Sequence, residues 1–101
     1  MTYRFKPGKR DEYIQVHQHL WPSQHQALVR AGVKRMAIFA RGDQLFLFAD
    51  VGNRAEFQQA SATDPDYQRW SEYMATVLDQ PFDEHEPGIF AQLDEIWFWT
   101  P

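Results

Sequence analysis

Mostly apolar side chains recur every three or four residues between positions 9 and 31, the spacing of one face of an α-helix. The members of this stripe are Tyr13, His17, Leu20, Trp21, Gln24, Leu28 and Ala31. Pro22 lies within it and cannot donate a backbone hydrogen bond to the preceding turn, so we expect a bend there. Gly32 suits the left-handed residue that ends a helix. The pattern therefore predicts one long, bent first helix.

Four segments rich in β-branched and aromatic residues predict strands. They cover residues 2–6, 33–40, 45–51 and 90–99. Gly42 and Asp43 lie between the second and third segments and form a two-residue turn with glycine first. Because such turns join antiparallel neighbours, the second and third strands should pair.

Two capping signals mark helices in the second half of the chain. Asn53 followed by Glu56 resembles a capping box and predicts a short helical turn. Asp64 before Pro65 is a stronger start signal, and it predicts a second long helix to about Leu78. The apolar face of that helix carries Tyr67, Trp70, Met74 and Val77.

The order strand, helix, strand, strand, helix, strand is the ferredoxin-like βαββαβ plan. This is an α+β fold with a four-stranded antiparallel sheet and both helices on one side, and residues 1–101 suffice for a single domain. The other sheet face also carries apolar residues, which are Met36, Ile38, Phe46, Phe48, Trp97 and Trp99. Because an exposed apolar face needs cover, we expect a homodimer of the dimeric α+β barrel type, or a bound ligand.

Composition excludes several functional classes. The net charge of -4 disfavours nucleic acid, because proteins that bind it carry a basic surface. The chain has no cysteine, which removes thiol nucleophiles and cysteine-based zinc sites. No apolar run approaches the roughly 18 residues of a membrane span, and the first ten residues lack the apolar core of a signal peptide. We therefore expect a cytoplasmic protein that binds neither nucleic acid nor membrane.

The most informative local feature is Tyr13, His17 and Trp21 at four-residue steps, which stack along one side of the first helix. An imidazole titrates near neutral pH and can move a proton, while a phenol and an indole offer a hydroxyl and a flat apolar wall for a sugar. The same spacing fits two core aromatics and a purely structural histidine. From spacing alone both interpretations stay open.

Metal binding is not expected. His17, His19 and His25 fall on the first predicted helix, but positions two apart diverge by about 200° and no ligand at four-residue spacing completes a set. The chain also lacks a Gly-rich phosphate loop and a nucleophile elbow. On the last predicted strand, an inward Glu95 is a candidate base or a partner for Arg35.

Several segments, in this order and spacing, together carry a family resemblance. They are DEYIQVH at 11–17, LWP at 20–22, MAIF at 36–39, LF at 45–46, SATD at 61–64, QRW at 68–70, YM at 73–74 and LDEIWF at 93–98. Over nearly its whole length the chain resembles the L-rhamnose mutarotase family. That family is dimeric with a ferredoxin-like subunit, which agrees with the fold inferred above.

The resemblance implies roles for particular residues. His17 matches the family's proton donor, Tyr13 a sugar-binding tyrosine, and Trp70 the first of two tryptophans that contact the sugar. Met36 stands where the best-known members have a tyrosine, and Ser71 where they have the second tryptophan. We expect His17 to be catalytic. The expected substrate-binding residues are Tyr13, Trp21, Met36, Trp70 and Ser71.

The implied function is mutarotation, the interconversion of the α and β anomers of a 6-deoxy-L-hexose, without metal or cofactor. An acid protonates the ring oxygen while a base takes the proton of the C1 hydroxyl. His17 is the predicted acid, and Glu95, His25 or an ordered water is the candidate base. A second branch of the family, with methionine at the Met36 position, accompanies L-fucose metabolism, so L-rhamnose and L-fucose are both candidate substrates.

Other functions share this fold plan. Among enzymes they are a cofactor-free monooxygenase and a lactone isomerase. A non-enzymatic ligand-binding or dimerisation module would use His17 only structurally. A haem-binding barrel would use His17 or His25 as the axial ligand.

Overall fold

The computed structural model describes residues 2–79 and 96–101. In chain order, the helices and strands of this part are β1 Thr2–Phe5, α1 Arg10–Gln18, α2 Pro22–Arg30, β2 Val33–Arg41, β3 Gln44–Val51, α3 Arg54–Thr63, α4 Pro65–Val77 and β4 Leu78–Asp79.

The four strands form one antiparallel sheet in the order β2-β3-β1-β4. β2 and β3 are joined by the predicted two-residue turn, with Arg41 opposite Gln44. Gly42 has a φ of 61°, the positive value that the first residue of such a hairpin turn needs. The predicted α+β plan with a four-stranded antiparallel sheet is therefore confirmed.

The first predicted helix is two helices. α1 ends at Gln18, and α2 begins with Pro22 as its first residue, where a missing backbone N–H breaks no helical hydrogen bond. A residue before proline is disfavoured in the helical conformation, and Trp21 is extended, with φ -57° and ψ 132°. The predicted bend is therefore a break, which turns α2 away from α1.

Side-chain caps fix the starts of α3 and α4. The Asn53 side-chain oxygen accepts a hydrogen bond from the Glu56 backbone N–H at 3.0 Å, and this cap opens a helix of ten residues rather than the short turn predicted. Asp64 accepts from the Asp66 backbone N–H, also at 3.0 Å. Arg30 at the end of α2 contacts both aspartates, at 2.9 and 3.0 Å, and so ties α2 to the start of α4.

The predicted fourth strand can be compared with the structure only at its end, where residues 96–99 form no strand. The strand was expected over 90–99, and of that range 90–95 lies outside the described residues. Trp97 and Trp99 are exposed and belong to no strand. Among the described residues, the sheet ends with Leu78–Asp79, which follows α4 directly and pairs with β1. Two residues are too few to give a periodic signal, so this strand could not be recognised in the sequence.

Two hydrophobic clusters fill the layer between the sheet and the helices. The first cluster contains Tyr3, Phe5, Tyr13, Leu45, Trp70, Met74, Val77 and Leu78. The second cluster contains Ala27, Ala31, Phe57 and Tyr67. Since the inward residues of β1 and β3 share a cluster with residues of α1 and α4, these helices pack on one face of the sheet.

The opposite sheet face, here called the outer face, is apolar but differs from the predicted set. Phe39, Phe46 and Phe48 are 64%, 41% and 54% exposed, and Phe39 pairs with Phe46 across the two strands. Met36 and Ile38 point instead toward the helices, because they alternate with Phe39 along β2. The prediction of an apolar outer face is correct, but the residues of β2 that it named lie on the other side.

Replacing Asn53 by alanine should lower the free energy of unfolding by about 1 kcal/mol, because the Glu56 backbone N–H loses its acceptor. Asn53→Asp keeps a side-chain oxygen at the cap and should cost much less. Urea denaturation of the three proteins measures the difference. Equal losses for both variants would show that the cap contributes no specific stability.

Candidate active site

A cavity of about 300 Å³ lies between the helices and the sheet, where the two core clusters meet. Tyr13 and Trp70 of the first cluster and Phe57 and Tyr67 of the second line its walls. Small-molecule pockets in proteins span roughly 300 to 1,000 Å³ and are mostly apolar, with a few polar groups that orient the ligand. The size therefore suits a small ligand such as a monosaccharide.

His17 brings a titratable group to this cavity from the last turn of α1. Its Nδ1 lies 2.8 Å from the backbone carbonyl oxygen of Tyr13. A carbonyl oxygen can only accept, so Nδ1 carries the hydrogen and donates it. In the neutral ring, Nε2 then holds the free lone pair and is the atom that can exchange a proton with a ligand.

Aromatic rings on two helices fix the orientation of this imidazole. The ring of Tyr13 lies against it, with centroids 4.1 Å apart and an interplanar angle of 33°. Trp70 approaches edge to face, with centroids 5.1 Å apart at 76°. Trp21 packs perpendicular to Trp70, also with centroids 5.1 Å apart. The break between α1 and α2 thus places Trp21 against Trp70, which in turn contacts the imidazole of His17.

Burial sets the protonation states of the site. Loss of solvent lowers the pKa of His17 below its ordinary 6.5, an effect that the hydrogen bond to the Tyr13 carbonyl only partly opposes. The imidazole is therefore neutral at neutral pH. Burial also raises the pKa of Tyr13 and of Tyr67 well above the ordinary value, so both remain phenols.

The cavity unites some of the predicted substrate-binding residues. Tyr13, Trp70 and Met36 line it together with His17. Trp21 is not among the described residues of its wall and reaches the cavity only through its contact with Trp70. The roles proposed for these residues stay predictions.

Ser71 is the remaining predicted substrate-binding residue. It is half-buried, follows Trp70 on α4, and is likewise absent from the described wall. Helical geometry turns neighbouring residues about 100° apart, so Trp70 and Ser71 cannot point in the same direction. Its part in substrate binding also stays a prediction.

The other polar candidates lie elsewhere. His19 and His25 are exposed, and neither lines the cavity. Glu95 lies outside the described residues. Its suggested partner Arg35 is on the surface, with a guanidinium nitrogen 3.6 Å from a carboxylate oxygen of Asp50. Within the described ranges, no three histidine or acidic side chains come close enough together to hold a metal ion.

Gln24 and Tyr67 were recognised in the sequence only as members of apolar helix faces, yet both line the cavity. Gln24 is 2% exposed, and its Oε1 has no hydrogen-bond partner among the described residues. A sequence signal for it did exist, because Gln24 interrupts the stripe between Leu20 and Leu28 with a polar group. No comparable signal distinguishes Tyr67 from a core aromatic.

Comparison with known proteins decides the family. The sequence profile of L-rhamnose mutarotase matches residues 1–99. The chain belongs to the L-rhamnose mutarotase family. An L-rhamnose mutarotase of Listeria monocytogenes is 32% identical over 94 residues, which cover 91% of this chain and 88% of that protein. An L-rhamnose mutarotase of Burkholderia ambifaria is 39% identical over 79 residues, covering 74% and 73%.

A crystal structure shows the same fold within this family. An L-rhamnose mutarotase from Formosa agariphila superimposes with a TM-score of 0.72 at 24% identity, covering 98% of this chain and 94% of its own. The ferredoxin-like fold and the family resemblance are therefore confirmed, and the protein is a sugar mutarotase, an isomerase. The monooxygenase, lactone isomerase, haem-barrel and binding-module alternatives are set aside. None of the described helices has the length and apolarity needed to cross a membrane.

Proposed function

We propose that the protein interconverts the α and β anomers of a 6-deoxy-L-hexose, L-rhamnose or L-fucose, and that Nε2 of His17 carries the proton. One observation supports this above all. The imidazole of His17 faces an apolar, aromatic-walled cavity of about 300 Å³ with its Nδ1 committed to the Tyr13 carbonyl. Mutarotation needs one group that takes and returns a proton beside a bound sugar, and this arrangement supplies it.

The neutral imidazole supports a stepwise sequence. Nε2 of His17 accepts the proton of the C1 hydroxyl, the electrons left on O1 form the carbonyl bond, and the C1–O5 bond breaks with its electron pair going to O5. O5 then takes the proton from the imidazolium. Rotation about the C1–C2 bond and the reverse steps close the ring on the other face. The histidine is thus the predicted acid toward O5 and also the base that the sequence left unassigned.

The remaining cavity residues suit a sugar. Tyr13 can donate its phenolic hydrogen to a sugar hydroxyl, because its raised pKa keeps it protonated. Trp70 offers an aromatic surface to the C–H groups of the pyranose ring. Met36 and Ile38 provide an apolar wall for the C6 methyl of a 6-deoxy sugar. The names of the relatives support L-rhamnose, and Met36 supports L-fucose.

The proposal includes a homodimer formed through the outer face. Phe39, Phe46 and Phe48 form a contiguous exposed apolar patch on two paired strands, and such patches mark interaction surfaces. A second copy of the chain would bury all three phenylalanines. The cytoplasmic location expected from the sequence stays a prediction.

Replacing His17 by asparagine should abolish most of the acceleration, a loss of roughly 10²- to 10⁴-fold, because the amide has no titratable nitrogen. Anomer exchange of L-rhamnose and of L-fucose is measured separately by NMR magnetisation transfer. His25→Asn makes the same change at an exposed histidine outside the cavity and should leave the rate unaltered. If the wild-type protein accelerates neither sugar, the proposed function is wrong. If His17→Asn is as fast as wild type, the role of His17 is wrong.

The kcat/KM for anomer exchange should be constant near neutral pH and fall about tenfold per pH unit in acid. The reaction starts from the neutral imidazole, and burial disfavours the imidazolium, so the fall should begin below pH 6.5 as His17 takes up a proton. The rate of the uncatalysed reaction is subtracted at each pH. A kcat/KM that instead decreases as the pH rises through this range would show that His17 must enter the reaction protonated.

Changing Phe48 to glutamate should dissociate the dimer, because the substitution places a charge in the interface. Sedimentation equilibrium should give twice the 12.0 kDa chain mass for wild type and the chain mass for the variant. Gln59→Glu adds the same charge to an exposed position on α3 and should remain dimeric. A wild-type protein that sediments at the chain mass would refute this interface.

A further inference from the structure

Gln24 is a polar side chain in an apolar setting. It lies on α2 between Leu20 and Leu28, which also line the cavity, and it is 2% exposed. Its Oε1 has no hydrogen-bond partner in the part of the chain that the structure describes. A buried carbonyl oxygen without a donor destabilises a fold, because the hydrogen bonds it made to water are lost without replacement.

The position of this oxygen shows where a donor could come from. Gln24 belongs to neither core cluster, and it lines the cavity at which both clusters meet. Leu20, just before α2, and Leu28, on α2, carry no side-chain donor, and no hydroxyl of the described cavity wall donates to this oxygen. A ligand in the cavity can therefore supply the missing partner without any rearrangement of the core.

We propose that Gln24 is a specificity-determining residue whose side-chain Oε1 accepts a hydrogen bond from a ring hydroxyl of the bound sugar, at C2, C3 or C4. The inference rests on the proposed function, which assigns the C1 end of the sugar to His17. One hydrogen bond at a carbon away from C1 fixes the ring in the cavity and presents C1 to the imidazole. Because L-rhamnose and L-fucose differ in configuration at C2 and C4, a contact with either hydroxyl also distinguishes the two sugars.

The test combines a substitution with deoxy analogues of the preferred sugar. Gln24→Leu should lower kcat/KM for anomer exchange roughly 10- to 100-fold, mainly through a higher KM, because a contact that only holds the sugar has been removed. Its midpoint of urea denaturation should equal or exceed that of wild type, since the unpaired oxygen is gone. Gln26→Leu makes the same change on the exposed side of α2 and should leave kcat/KM unaltered.

The deoxy analogues test the same contact in the unmodified protein. Among the 2-, 3- and 4-deoxy sugars, wild type should disfavour one by at least about tenfold, each rate being divided by the uncatalysed rate of that sugar. A site that pairs with a hydroxyl rejects an analogue that lacks it. Gln24→Leu should treat this analogue and the parent sugar alike, a result that general damage to the fold would not give.

Two results would overturn the inference. The first is an active wild type whose kcat/KM and analogue preferences are unchanged in Gln24→Leu, which refutes the role of Gln24 and leaves the proposed function intact. The second is a wild type that accelerates no 6-deoxy-L-hexose, which refutes the proposed function and this inference with it.

Discussion

The hydrogen bond from Nδ1 of His17 to the Tyr13 carbonyl, at 2.8 Å, is the contact on which the proposed chemistry of the site depends. It fixes the tautomer, because only Nδ1–H can donate to a carbonyl, and it leaves Nε2 as the one nitrogen that can exchange a proton in the cavity. It also joins the histidine to the backbone of its own helix one turn earlier. The Tyr13 and Trp70 rings then prevent the imidazole from turning away.

The break between α1 and α2 is the second constraint, and it follows from Pro22. Because the residue before a proline avoids the helical conformation, Trp21 is extended and α2 starts in a new direction. A continuous helix would carry His17 and Gln24 on one straight face, about two turns apart. The break lets α1 and α2 pack separately against α4, and the ring of Trp21 packs against that of Trp70.

Sequence reasoning predicted the fold plan well where signals were local. The hairpin turn at Gly42 and the caps at Asn53 and Asp64 lie where their residue types predicted them, because each depends on a few neighbouring atoms. It failed where the outcome depended on distant pairing. Which side of β2 faces the helices is set by register with β3, and β4 is defined only by its contact with β1.

The same contrast between local signals and long-range packing explains which features of the site could be predicted from the sequence. The stripe of Tyr13 and His17 was visible from spacing, but spacing could not tell a structural histidine from one beside a cavity. That distinction arises from packing, since Trp70 comes from α4 and Met36 from β2. The family resemblance predicted that Trp70 and Met36 belong to the site. The polar interruption at Gln24 was visible in the sequence, but the role proposed for it could not be inferred until its oxygen was found buried and unpaired among the described residues.

The burial of the cavity has two effects, and both favour proton exchange with a bound ligand. Removing water lowers the pKa of His17, so that a neutral base is present near pH 7, and it strengthens each hydrogen bond that a ligand makes there. A sugar hydroxyl that enters such a space must find a partner, because it leaves its own water behind. Polar groups that are few and fixed in position therefore select both the orientation of the sugar and the proton that moves. For the proposed reaction, a mostly apolar cavity with an imidazole, a phenol and an amide is consequently better suited than a more polar one, in which water would compete for each of these contacts.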